Sequence, residues 1–307
     1  MEEIQYTAGR MPAVLGGAHV SVREPAVAGM FYEAGEAQLR MQVESCFLGP
    51  GGPGSLPAVN REGPRKIVGL VSPHAGFIYS GSVAAWAYYR LAEDGLPEIV
   101  VVIGPNHHSY YPAAALTDET AWRTPLGETP LDLEIAEHIT RSYPTAGIMP
   151  AAHLREHCLE VQLPFLQYLA GNAGAELRIV PLLVGASAGR DAGTARQLGN
   201  AVAEAIEGRN AVVIASTDFT HYESGDAAQK KDSRAISNIL ALDEERLLGT
   251  VEMLDISMCG AMPTAVTIAA CKKLGAVSAR QLAYRNSGDV TGEYYEVVGY
   301  GAIEIFK

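Results

Sequence analysis

From Lys66 onward the chain alternates short apolar runs with segments of helical period. Ile67–Val71, Glu98–Ile103 (EIVVVI), Leu177–Val184 and Ala211–Ala215 (AVVIA) are nearly continuous apolar stretches of strand length, as expected of strands covered on both faces. Between them, apolar residues recur at helical spacing over Ser80–Leu91, Asp132–Thr140, Leu154–Leu169, Asp191–Ile206, Asp226–Leu240, Glu244–Met253 and Met262–Leu274. These predict helices, with Pro164 kinking the third or resetting its start. Ala279–Arg285 and Tyr295–Ile305 read as closing strands, and the Gly/Pro-rich stretch Gly49–Gly63 as a loop. The alternation predicts an α/β chain: a single three-layer α/β/α domain with a mixed, largely parallel sheet. Residues 1–22 read as an N-terminal arm and 23–307 as the domain.

In such sheets ligands bind beyond the C-terminal strand ends. There the sequence places Ser72-Pro73-His74-Ala75-Gly76, Gly104-Pro105-Asn106-His107-His108 and Ser216-Thr217-Asp218-Phe219-Thr220-His221. Imidazoles and a carboxylate released from three strand ends suit a first-row divalent metal or general acid/base work, with turn or helix caps as the plainer alternative. Asp218 and His221 read either as orienter and base or, for Asp218, as the N-cap of the next helix. Cys259 precedes the helix from Met262; it is either a thiol whose pKa the helix N-terminus lowers, able to bind metal, or a small buried residue. His157 and Glu160, three apart on a predicted helix, share a face that points at the cleft or at solvent. His153–His157 also matches H-x-x-E-H, but no downstream glutamate is placed as a third zinc ligand. Cys46, Cys158 and Cys271 read as core residues, His19 and His138 as solvent-exposed.

Composition narrows the function classes. The 307-residue chain carries a net charge of −12, with eight His and four Cys. With no Lys/Arg run, neither a nucleic-acid surface nor an anionic-membrane surface is expected. No stretch approaches the roughly 20 apolar residues of a membrane span. The start MEEIQYTAGR has acids where a signal peptide needs bases, so a cytoplasmic protein with reduced thiols is expected. There is no phosphate-binding G-x-x-x-x-G-K-[ST], no strand-linked G-x-G-x-x-G and no G-x-S-x-G elbow, which disfavours nucleotide kinases, Rossmann dehydrogenases and ordinary serine hydrolases.

A set of long, ordered motifs resembles the Memo family, whose archaeal and bacterial members are often called AmmeMemoRadiSam system protein B. They are Arg23–Tyr32 (REPAVAGMFY), Ser72–Gly81 (SPHAGFIYSG), Ile103–His108 (IGPNHH), Glu156–Leu166 (EHCLEVQLPFL), Ser216–Tyr222 (STDFTHY), Met258–Gly260 (MCG) and Ser287–Asp289 (SGD). The resemblance implies a fold similar to the class III extradiol dioxygenases. It also implies a metal site on His74, His107 and Cys259, holding iron or copper, or zinc, with Asp218, His221 and His157 around the same cleft. His108, Tyr79 and Glu160 are expected to line a substrate pocket, with the aromatics of Ser109–Pro112 and Phe77–Tyr79 as further lining. A thiolate where non-haem oxygenases carry a carboxylate favours copper or a redox role over ring cleavage. The implied activity is that of a metal-dependent redox enzyme with a small-molecule or peptide ligand. The alternatives are an adaptor that binds peptides in the same pocket, as animal Memo proteins do with phosphotyrosine, and a metal-assisted hydrolase. The family further suggests a radical-SAM protein and an Ammecr-type protein as partners.

Overall fold

The computed structural model describes residues 21–108, 113–185 and 191–307; His19 and the Ser109–Pro112 loop lie outside them. Among the described residues a nine-stranded sheet runs in the order His221–Glu223, Val297–Phe306, Ile67–Ser72, Ala211–Ser216, Ile99–Pro105, Arg178–Val184, Ala114–Leu116 and Ala146–Ile148. Ser278–Asn286 is the ninth strand, antiparallel to Val297–Phe306. The four strands read from continuous apolar runs are the mutually parallel centre. Antiparallel pairings join that centre to its flanks on both sides.

The centre is buried on both faces because its side chains alternate. Val100, Val102, Val212 and Ile214 point into a core with Leu39, Phe47, Tyr88 and Phe165, from the helices Glu36–Leu48, Phe77–Asp94 and Leu163–Ala173. Val101, Ile103, Val213 and Ala215 point the other way, against Leu198, Val202, Ile236 and Val266 of the helices Ala192–Ala205, Gly225–Leu240 and Ala261–Lys273. The result is the three-layer α/β/α arrangement with a mixed sheet, and its strands end at the histidine-bearing loops. No helix among the described residues is long and apolar enough to cross a membrane.

Two departures from the sequence reading shape the surroundings of the histidine-bearing loops. Leu154–Leu169 is not one helix: a short helix, Pro150–His153, ends in turns, a 3₁₀ turn covers Glu160–Gln162, and a new helix starts at Leu163. Pro164 thus sits in the first turn of the new helix, where its missing N–H costs nothing. The second is an unforeseen three-stranded sheet of Val22–Arg23, Ala121–Thr124 and Gly127–Pro130. Ser21 already accepts a backbone bond from Thr120, and Arg23 is only 2% exposed.

Candidate metal centre

Strand Ile67–Ser72 delivers His74, which is buried. Its backbone N–H donates to Asp218 Oδ1 at 2.8 Å, and its Nδ1 lies 3.0 Å from Ser216 Oγ. The Ser216 hydroxyl spends its one proton on the Cys158 carbonyl at 2.6 Å, so it accepts from His74 Nδ1 and from Gln162 Nε2 at 2.9 Å. Gln162 is itself oriented by Tyr88, whose hydroxyl donates to Oε1 at 2.5 Å, and by its own bond to the Pro73 carbonyl. This chain fixes the Nδ1–H tautomer and turns the Nε2 lone pair of His74 toward Cys259 Sγ, 3.2 Å away. Burial and the neighbouring rings of His157 and His107 hold the His74 pKa well below the usual imidazole value, which keeps the ring neutral.

Strand Ile99–Pro105 delivers His107, and Glu156 aims it. His107 donates its backbone N–H to Glu156 Oε2 at 2.7 Å and its Nδ1 to Oε1 at 2.9 Å, again freeing Nε2. Oε1 also accepts the backbone N–H groups of His157 (2.8 Å) and Cys158 (3.0 Å). Burial alone would raise the Glu156 pKa; the bonds from His107 and His157 outweigh it and hold the carboxyl ionised, well below the usual range. The His157 ring stacks on His107 at 4.9 Å, meets His74 edge-on at 5.4 Å and packs under Phe31 at 4.7 Å.

Cys259 comes from the turn before helix Ala261–Lys273. Asp218 N–H donates to its sulfur at 3.3 Å. Burial first, and the charge of Asp218 second, push the thiol up to about 12. The expected lowering by the helix N-terminus is therefore overridden. The turn can approach the strand end only because residue 260 is glycine: a Cβ there would stand 2.4 Å from Thr217 Cβ. Gly260→Ala is expected to lose about 1–3 kcal/mol in chemical denaturation through this overpacking. Gly249→Ala, on a helix with nothing within 4 Å of the added carbon, should keep or gain stability.

One ligand atom each from His74, His107 and Cys259 lies within 4.8 Å of the other two. Donors of a tetrahedral N/S site stand about 3.5 Å apart, so a modest contraction fits these residues to one ion. Two imidazoles with Nδ1 anchored and one cysteine suit iron, copper or zinc. His107, Glu156 and His157 are equally close, but Glu156 accepts from the His107 ring and from the backbone N–H groups of both histidines, so that group orients.

The other predicted residues fall as follows. Asp218 borders the ligands, its Oδ2 4.0 Å from His74 Nε2, and burial raises its pKa to about 6. His221 lies within electrostatic reach of His74 and Asp218. Its ring, however, is held by Ser257, with Nδ1 2.9 Å from the Ser257 carbonyl, and not by Asp218. Nor does Asp218 cap a helix; Ser224 caps the one that follows. His108 is exposed and bonds Asn106 through its backbone; Tyr79 is exposed on the first turn of helix Phe77–Asp94.

Glu160 is a correction. With no shared helix face, it turns from His157 into the interior, where Arg23, Ala26 N, Val27 N and the Tyr32 hydroxyl occupy both oxygens. His153 packs edge-on to Trp122 with Nε2 3.2 Å from the Ala115 carbonyl, so the H-x-x-E-H spacing assembles no zinc site, in line with the sequence reading. Sequence reasoning missed Glu156, Ser216 and Gln162 as orienting groups. For Glu156 and Gln162 the available signal was the presence of acids and an amide within the segment EHCLEVQLPFL; Ser216 gave none.

The family model described as Memo-like protein matches residues 23–304. A MEMO1 family protein of Methanopyrus kandleri is 49% identical, covering 92% of this chain and 98% of its own. MEMO1 family proteins of Methanothermobacter thermautotrophicus (46%; 91% and 98% covered) and Pyrobaculum aerophilum (42%; 93% and 99%) match as fully. An uncharacterized protein of Escherichia coli K12 shares the fold, with a TM-score of 0.52 at 12% identity over 78% of this chain and 100% of its own. The motifs that surround His74, His107 and Cys259 all lie inside the matched span, and the chain belongs to the Memo family.

Proposed function

We propose that this protein is a metal-dependent redox enzyme whose iron or copper is held by His74, His107 and Cys259. The observation that carries the reading is the convergence of three donors, from two strand ends and a helix-start turn, with both imidazoles anchored through Nδ1. When bound, iron or copper supplies one-electron chemistry. His74 and His107 present Nε2 without a rotamer search, and Cys259 offers a soft thiolate, which favours copper or a redox role over ring cleavage. His221 donates Nδ1–H to the Ser257 carbonyl, so its Nε2 is an acceptor. In this reading His221, with Asp218 beside the His74 ligand, takes a proton from the substrate.

The test is metal analysis of protein purified without oxygen. Wild type is expected to carry iron or copper, and His74→Ala and Cys259→Ser to lose it. Unchanged metal content in both variants would remove the site. Zinc alone, with ester or amide turnover, would favour a hydrolase.

One observation favours a peptide-binding role at the same place. Met30, Ile78, Tyr79 and Tyr222, on segments beside the centre, are 73%, 69%, 40% and 75% exposed. Exposed apolar side chains on these segments suit contacts to an extended ligand. Turnover that disappears in His221→Ala would count against an adaptor without catalysis.

A further inference from the structure

We infer that the opening segment Arg23–Tyr32 is a positioning clamp for the metal centre, with Arg23 setting His107 through Glu156 and Phe31 setting His157 directly. The inference rests on the metal-centre reading above. None of the segment's atoms is placed as a ligand, yet its contacts converge on the groups that aim the ligands.

Arg23 is buried, with its guanidinium 4.3 Å above the Trp122 ring. Its three nitrogens reach four acceptors, the weakest being the Glu24 carbonyl, 3.5 Å from NH1. Nε donates to the His153 carbonyl at 2.8 Å, NH2 to the Glu156 carbonyl at 2.7 Å, and NH1 to Glu160 Oε2 at 2.7 Å. The two carbonyls bracket residues 154–156, the stretch where the expected helix breaks. A planar fork fixes both at once; a lysine ammonium is a point charge that cannot span them in this geometry. Held there, the turn aims the Glu156 carboxylate back at His107 and at the N–H groups of His157 and Cys158.

The far end of the segment is tied as firmly. Glu160 accepts Ala26 N–H at 2.8 Å, Val27 N–H at 3.0 Å and the Tyr32 hydroxyl at 2.6 Å. Between these anchors the Phe31 ring lies against His157, and the Phe31 carbonyl accepts Phe77 N–H at 2.8 Å, three residues after His74. The segment thus touches the loops of both His74 and His157, and reaches His107 through one carboxylate. Groups that orient metal ligands from behind in this way typically govern affinity by ten- to a hundred-fold.

The experiment is Co(II) titration of the full-length apo protein, followed by the thiolate charge-transfer and d–d absorption. The variants are Arg23→Lys, Phe31→Leu and the double variant Arg23→Met with Glu160→Gln, which leaves no unpaired charge buried. Arg23→Lys and the double variant are expected to bind Co(II) roughly ten- to a hundred-fold more weakly with shifted d–d bands, and Phe31→Leu several-fold more weakly. A purely architectural role would lower the melting temperature and leave affinity and bands as in wild type. Wild-type affinity and bands in any folded Arg23 variant would overturn the inference and leave the metal reading standing. Absence of Co(II) binding by wild type would overturn both.

Discussion

Glu160→Ala is expected to destabilise the protein by about 3–5 kcal/mol, the cost of leaving one member of a buried ion pair without its partner. Glu160 is fully enclosed and receives four hydrogen bonds, from Arg23, two backbone N–H groups and the Tyr32 hydroxyl. Alanine abandons all four donors in a place that water does not reach. Against a typical total stability of roughly 5–15 kcal/mol, that is a large share. Denaturant titration followed by tryptophan fluorescence measures it, because Trp122 stacks on Arg23 and reports on the same region. Glu160→Gln should lose less, since an amide oxygen still serves one or two donors. The surface pair Arg123–Glu128 is the contrast: both side chains are more than two-fifths exposed, and Arg123→Ala should leave the transition where it is. A Glu160→Ala protein of wild-type stability would refute the structural role and return Glu160 to the list of residues available to a ligand.

What the chain disclosed before folding, and what it withheld, follows from the range of the forces involved. EIVVVI and AVVIA announce central strands because a sheet covered on both faces needs apolar residues at every position, and that demand is local in sequence. The strands Ala114–Leu116 and Ala146–Ile148 are three residues each, too short to show a period, and they passed unseen. The broken helix at residues 154–159 has apolar spacing that suits a helix. It breaks where Arg23, 130 and 133 positions away, takes the carbonyls of His153 and Glu156. His74 and His107 were legible as strand-end histidines, and Cys259 was an open choice between ligand and packing residue until the family resemblance favoured it. Glu156, Ser216 and Gln162 were not, since the role of each exists only once distant strands and turns have met. The thiol shows the same limit in electrostatics: a helix N-terminus is visible in sequence, whereas the burial that outweighs it is not.

Glu156→Gln is expected to weaken metal binding by roughly ten- to a hundred-fold and to cost about 1–3 kcal/mol of stability. The carboxylate serves four donors on two oxygens: His107 N–H and Nδ1–H, His157 N–H and Cys158 N–H. An amide of the same shape has one oxygen, so its NH2 must face at least one of those donors. His107 is the most exposed of the proposed ligands and has the least packing to hold its ring once Nδ1 is released. Loss of orientation should therefore appear first as weaker Co(II) binding in protein that is still folded. The pH dependence adds a second reading. Glu156 is held below the ordinary carboxylate range in the folded state, so the unfolded chain takes up its proton first as pH falls. The stability it contributes is complete above that range and fades between about pH 5 and lower values. Wild type should accordingly lose more stability than Glu156→Gln when denaturant midpoints are compared at about pH 6 and pH 3.5. Equal losses would mean that the carboxylate is not held by its charge, and wild-type Co(II) affinity in the variant would mean that His107 is aimed by something other than Glu156.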